Sequence, residues 1–289
     1  MLLAVAGGIA LALALVMLRE PASPSPEAAS TGAPGPVSAP SPTASPAPDA
    51  MAVEWPGPDS TGVAEGIELT EHAGGTLDED GLVLEGARVA GDLVLEGDDQ
   101  TLRDVRVDGK VLVIGDGVVI EDSELGALSV SGAASFRASR VEIFGHAGSD
   151  GIHVTSDRGR VTDLTIEDSW IHSPQVTESS HYDGIQVRGV DNMVFRGNHV
   201  DLGPHREQFT AAVFLQDANG GNATVVVEGN LINGGGYSLY VGGADITVVD
   251  NVFGPDVRWG PVYPSSDPFT EQGNRWADGR PLSLLAALD

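Results

Sequence analysis

The sequence predicts an all-β fold: a single-stranded, right-handed parallel β-helix (a solenoid) of about eight coils, preceded by an apolar N-terminal helix and a disordered linker. Three observations predict it. Short β-branched runs ending in a small or polar pair recur: LVLEGARV, TLRDVRV, VVIEDSEL, SFRASRVEI, LTIEDSWI, MVFRGNHV, VVVEGNLI and ITVVDNVF. A second series falls between them: DLVLEG, VLVIG, LSVSG, DGIHV, DGIQV, AVFLQ and YSLYV. The 38 glycines and few aromatics suit tight turns around an aliphatic interior.

Taken in chain order, the first element is Leu2 to Leu18, 17 residues without a charge, ended by Arg19 and Glu20. That length is the lower limit for a membrane-spanning helix and exceeds a usual signal-peptide core. Residues 1–20 are therefore expected to be a signal peptide or a membrane anchor, with the membrane as a partner while the segment is uncleaved. Residues 21–54 form the expected linker; positions 21–50 hold nine Pro, six Ser and eight Ala, a composition that cannot build a core. The β-helix is expected over 55–256, and 257–289, with Trp259 and Trp276 between prolines, is expected to cap the last coil.

Within the body, the first series aligns on Ala87, Val105, Ser123, Ser139, Ser169, Asn198, Asn230 and Asn251, at intervals of 18, 18, 16, 30, 29, 32 and 21 residues. This reads as two short strands per unit. A unit so short cannot bury an apolar face alone, so units must stack. Alternation turns Ile152 and Val154, Ile185 and Val187, Val213 and Leu215, and Leu239 and Val241 inward. No sustained helical periodicity separates the strands, which disfavours a βαβ fold. An antiparallel sandwich or propeller is the rival, and the repeated Ser or Asn after each turn favours a coil in which like residues stack.

Charge bounds the partners. With 42 acidic and 15 basic side chains the net charge is −27, which repels phosphate backbones, so nucleic acid is not expected. The absence of cysteine removes disulfides and thiolate chemistry.

Three segments stand out: WPGPDSTGVAEGIELT (55–70), SDGIHV (149–154) with HYDGIQVRG (181–189), and GGGYSLYVGG…ITVVDNVFG (234–254). In them the chain resembles the secreted, actinobacterial right-handed parallel β-helix proteins of the pectate-lyase-like superfamily. The resemblance implies a secreted solenoid and, more loosely, polysaccharide lyase or glycoside hydrolase chemistry.

Chemistry is expected where the insertions and histidines fall. Units from 139 to 230 are longer than the early ones, and six of the seven histidines lie within 146–206. Stacking of DGIHV on DGIQV places Asp150 over Asp183, His153 over Gln186 and Thr155 over Arg188. His153, Gln186, Phe214 and Tyr240 then form one outward row, with Thr155, Arg188 and Gln216 beside it. These aromatics and amides (His153, Gln186, Phe214, Gln216, Tyr240) are the expected substrate-binding set, since sugars need flat apolar faces beside paired hydrogen-bond groups. Glu142, His172, Asp201 and Asn233 are expected to align on the companion strand.

His181, Asp183, Arg188 and His172 are the candidate catalytic residues. A lyase would use Arg188 or a histidine as base, with Ca²⁺ on Asp150, Asp183 or Asp201 neutralising a uronate. A hydrolase would use Asp150 and Asp183 as paired carboxylates. Serine nucleophile chemistry has little support, because no G-x-S-x-G motif occurs. Two readings stay open: a surface-tethered or extracellular protein that binds or degrades a polysaccharide or cell-surface glycan, and a non-catalytic structural or adhesion module.

Overall fold

A computed structural model describes residues 54–265 and 267–288. The expected apolar segment and all of the linker except Glu54 lie outside the described residues. From Thr70 onward the chain winds into a parallel β-helix: every pairing between strands of five residues or more, and every pairing between coils, is parallel.

The coils are built on three ribbons, where the sequence predicts two strands per unit; in two early coils one strand, Arg106–Val113 or Glu124–Ser131, runs through both the second and third ribbons. The first ribbon has nine, from Val83–Glu85 through Thr101–Arg103, Val119–Glu121, Arg137–Ser139, Val161–Glu167, Val190–Arg196, Ala223–Glu228 and Ala244–Val249 to Phe269–Gln272. The second includes Glu142–Ile143, Trp170–His172, His199–Asp201 and Leu231–Asn233. The third includes Ile152–Thr155, Tyr182–Arg188, Phe209–Gln216, Tyr237–Tyr240 and Gly260–Val262. The sequence runs fuse the first two ribbons because a single residue makes the corner between them. Asp104, Asp122, Arg140, Asp168 and Asp250 hold φ of 49–56° there, and Gly86, Gly197, Gly229 and Gly273 fill the equivalent positions. One left-handed residue turns the chain without interrupting the apolar pattern.

The residue after each corner points inward and ties coils together. Val105 N–H donates to Ser123 Oγ (3.1 Å), Val141 N–H to Ser169 Oγ (3.0 Å), Ser169 N–H to Asn198 Oδ1 (3.0 Å) and Asn198 N–H to Asn230 Oδ1 (2.8 Å). Asn251 and Asn274 continue the column. This register corrects one position: Val141, not Ser139, is the fourth member, so the coil before it is 18 residues long and the coil after it 28. The corner residue there is Arg140, which no turn motif marks; a two-pronged ion pair with Asp122 (2.6 and 2.7 Å) holds it.

The interior is a stack of aliphatic side chains with Phe136, Phe195, Phe209, Phe253 and Tyr182 among them. All eight residues predicted to point inward in the third ribbon are buried. The stack continues past residue 256, where Gly260–Val262, Phe269–Gln272 and Arg275–Trp276 add another coil. The segment closing that end is Ser283–Leu288. Leu284 is buried, and the Glu271 carboxylate accepts the N–H groups of Leu284 (2.8 Å) and Leu285 (3.0 Å) and the Ser283 hydroxyl (2.8 Å). The WPGPDSTG segment runs lengthwise along the second ribbon of the middle coils: Pro56 O bonds His199 Nδ1 (2.9 Å) and Gly62 N–H donates to Arg140 O (3.0 Å).

Candidate functional site

The third ribbon presents a continuous outward file. Cross-coil pairing puts Ser129 beside His153, His153 beside Gln186, Gln186 beside Phe214 and Phe214 beside Tyr240. Tyr263, one residue after the Leu239–Val262 pair, stacks on Tyr240 with ring centroids 4.4 Å apart and planes at 11°. Thr155, Arg188 and Gln216 form the neighbouring file, as the stacking predicts. Alternation along each strand turns these side chains out, and the fixed rise between coils, about 4.8 Å, sets their spacing.

At the late end the file broadens into an aromatic ledge. Phe214 and Tyr240 are 4.7 Å apart, Tyr237 and Tyr263 5.3 Å, and Tyr237 and Trp259 5.4 Å. Trp259 is 59% and Tyr263 41% exposed, well above what flat aromatics usually show. Burial and the neighbouring Tyr263 and Tyr237 push the Tyr240 hydroxyl up to about 12, so it stays a neutral donor.

At the early end lies a small pocket of about 190 Å³ lined by Lys110, Ser129, Ser149, Asp150, His153 and His181, with Leu128 and Gly148. Burial raises the Asp150 carboxyl to about 6, opposed by the Asp183 N–H that it accepts at 3.0 Å. Asp183, 3% exposed, is pushed well above the ordinary carboxylate range by burial and by Asp150, while its Oδ1 accepts Ala211 N–H at 2.8 Å. The Tyr182 hydroxyl, raised by burial and by both aspartates, is buried with no hydrogen-bond partner among the described residues. Burial lowers His153, with the Arg188 charge second, so its imidazole is neutral, and its Nε2 is likewise unpartnered. Burial thus keeps both carboxyl groups protonated to higher pH than usual, and Asp150 shares the pocket lining with a neutral imidazole.

The family described as right handed beta helix region matches residues 93–254. The chain belongs to that family. No curated protein and no solved structure matches it. In this β-helix the family's fold is thus clear, and the site rests on its own geometry.

Of the predicted residues, the fold brings together His153, Gln186, Phe214, Gln216, Tyr240 and Arg188 on the ledge, and Asp150 and His181 in the adjoining pocket, with Asp183 buried beneath. It does not bring His172 there. His172 sits on the second ribbon, where it pairs with Asp201 and lines a separate cleft of about 610 Å³. The row expected on that ribbon is also shifted: Glu142 pairs with Trp170, not His172, although its carboxylate still reaches the imidazole. The shift follows from the Val141 register. Asp201 is held locally, its Oδ1 accepting Gly203 N–H (3.0 Å) and Asn233 Nδ2 (2.8 Å). The expected calcium set of Asp150, Asp183 and Asp201 is therefore not assembled: Asp201 belongs to another ribbon, and Asp150 and Asp183 each hold a backbone N–H of the next coil. Among the described residues no cluster of three His, Asp or Glu side chains is placed to hold a metal.

Sequence reasoning missed Lys110, Tyr237, Trp259 and Tyr263. Lys110 carried a signal, being the only lysine in the chain. Trp259 and Tyr263 fall in the segment read as a cap, and only the extra coil puts them beside Tyr240.

Proposed function

We propose that this β-helix is an extracellular protein, tethered by residues 2–18 or released from that segment, that lays a polysaccharide along the third-ribbon ledge and cleaves it at the Asp150–His153–His181 pocket. The observation that carries the reading is the unbroken file His153–Gln186–Phe214–Tyr240–Tyr263. Its aromatic faces suit the apolar faces of sugar rings, its amides suit their hydroxyls, and it ends in groups fit for proton transfer. Asp150, protonated in part near pH 6, is the acid; neutral His153 is the base. Arg188, which makes no ion pair among the described residues, and Lys110 are cations that suit a uronate carboxylate on an otherwise acidic surface.

Elimination and hydrolysis are separated by product. Purified protein is incubated with uronate and neutral glycans; unsaturated-product absorbance signals elimination, and new reducing ends without it signal hydrolysis. His153→Ala and His181→Ala should lower turnover by about 10²-fold or more, the usual worth of a positioned acid or base. Retention on a glycan without turnover would favour a second reading, a non-catalytic binding module. The use of Asp150 and Asp183 as acceptors for backbone N–H groups supports that alternative. Neither turnover nor retention on any glycan would refute both.

A further inference from the structure

The second ribbon carries a side-chain relay that the ledge does not use. His172 Nε2 lies 2.9 Å from Glu142 Oε1, and His172 Nδ1 lies 2.8 Å from Ser173 Oγ. A carboxylate at Nε2 requires that nitrogen to carry the proton, which leaves the Nδ1 lone pair to accept the Ser173 hydroxyl. Among the described residues Glu142 has no ionic partner except His172, whereas the stacked Glu124 is paired with Arg106. The imidazole stacks on Trp170 with centroids 3.5 Å apart at 13°, which fixes the plane of the ring. Ser173 holds φ at 50°, as the corner residues Asp104 and Asp168 do, so the turn sets its backbone. Its carbonyl packs against Gly145, where a Cβ would collide with it, so the turn is braced from the preceding coil.

From this geometry we propose that Ser173, His172 and Glu142 form a serine-nucleophile relay that hydrolyses short-chain carboxylic esters in the cleft lined by Trp170, Pro174, Leu202, Pro204 and Arg206. The missing G-x-S-x-G motif does not exclude it, because such relays are defined by geometry and roles, not by spacing. Ser173 Oγ attacks the ester carbonyl and bonds to the acyl carbon, its proton passing to His172 Nδ1. The acyl carbon–oxygen bond to the alcohol breaks, and His172 returns the proton to that leaving oxygen. Water, giving a proton to His172, then attacks the acyl carbon; the bond to Ser173 Oγ breaks, His172 returns the proton to Oγ, and the carboxylic acid leaves. Glu142 is a positioning residue that fixes the tautomer and stabilises the imidazolium. Arg206, the only arginine or lysine lining the cleft, is the group available to the oxyanion. The inference is independent of the ledge, since it uses none of its residues.

The test uses a fluorophosphonate and p-nitrophenyl acetate on the purified protein. The expected result is a single phosphonyl adduct on Ser173 and ester turnover that Ser173→Ala abolishes, with His172→Ala lowering both by about 10²-fold or more. Ser173→Gly, which suits the left-handed backbone, guards against misfolding and must also abolish labelling. Because the chain has no cysteine, Ser173→Cys introduces a unique thiol. If His172 activates position 173, iodoacetamide alkylates that thiol well below pH 8, the range of an unassisted thiol, and His172→Ala restores the ordinary profile. Labelling on another serine, turnover that survives Ser173→Ala, or an unshifted alkylation profile overturns the proposal.

Discussion

Asp150→Asn tests the pocket most directly, because its effect on stability has a worked size and sign. Burial raises the Asp150 carboxyl in the folded protein from its ordinary 3.8 to about 6. Below pH 3.8 both folded and unfolded chains are protonated at this position, and folding carries no penalty. As pH rises from 3.8 to 6 the unfolded chain ionises and the folded one does not, so stability is lost across that window and stays lost above it. At about 1.36 kcal/mol for each tenfold change in proton affinity, the loss is at most about 3 kcal/mol, and partial exposure of the group lowers it. Asparagine keeps an oxygen to accept Asp183 N–H and removes the charge that Asp150 sets against the Asp183 carboxyl. The variant should therefore match the wild type near pH 4 and gain on it up to pH 6.5, reaching a plateau above. Thermal melts at half-unit pH steps would show this as a widening of about 2–4 °C per kcal/mol. Parallel curves from pH 4 to 8 would refute the reasoning, since they would mean that Asp150 ionises at its ordinary value in a wet pocket. The same substitution removes the proposed acid, so any glycan turnover should fall while stability rises.

Tyr240→Ala should weaken glycan retention about tenfold, in line with about 1–1.5 kcal/mol for a stacked aromatic, and lower melting by a few degrees, about what its lost contacts with Phe214 and Tyr263 are worth; affinity electrophoresis reads the first, and unchanged retention would remove the ledge from the site. Asn230→Ala should destabilise the coil stack by about 3–5 kcal/mol in urea unfolding. It deletes the buried acceptor of Asn198 N–H and the donor to Phe195 O and Asn251 Oδ1, and a loss below 1 kcal/mol would contradict the column. Glu271→Ala should speed amide exchange of Leu284 and Leu285 at least tenfold by freeing the C-terminal closure, while exchange in the central coils stays the same.

Much of this was legible in the sequence because β structure is local and repetitive. Alternation alone assigned Ile152, Val154, Ile185 and Val187 to the interior, and the two DGI motifs alone placed His153 beside Gln186 and Thr155 beside Arg188. What misled was the corner. Arg140 resembles no turn residue, yet it takes the left-handed conformation that Gly86 and Asp104 take, and missing it moved the register by two residues. That error aligned Glu142 with His172, when the backbone pairs it with Trp170 and only the side chain crosses over.

The sequence by itself determined that the chain stacks parallel coils and which side chains lie in file on one ribbon, since both follow from a period of two and a repeat of like turns. Only the tertiary structure decided how many ribbons a coil has and which of them each histidine occupies. It separated His172 from His153 and His181, and it carried Trp259 and Tyr263 onto the ledge. The reason is angular: neighbours along a strand are set by bond geometry, but the direction a ribbon faces depends on every corner before it, and a single left-handed residue turns all that follows.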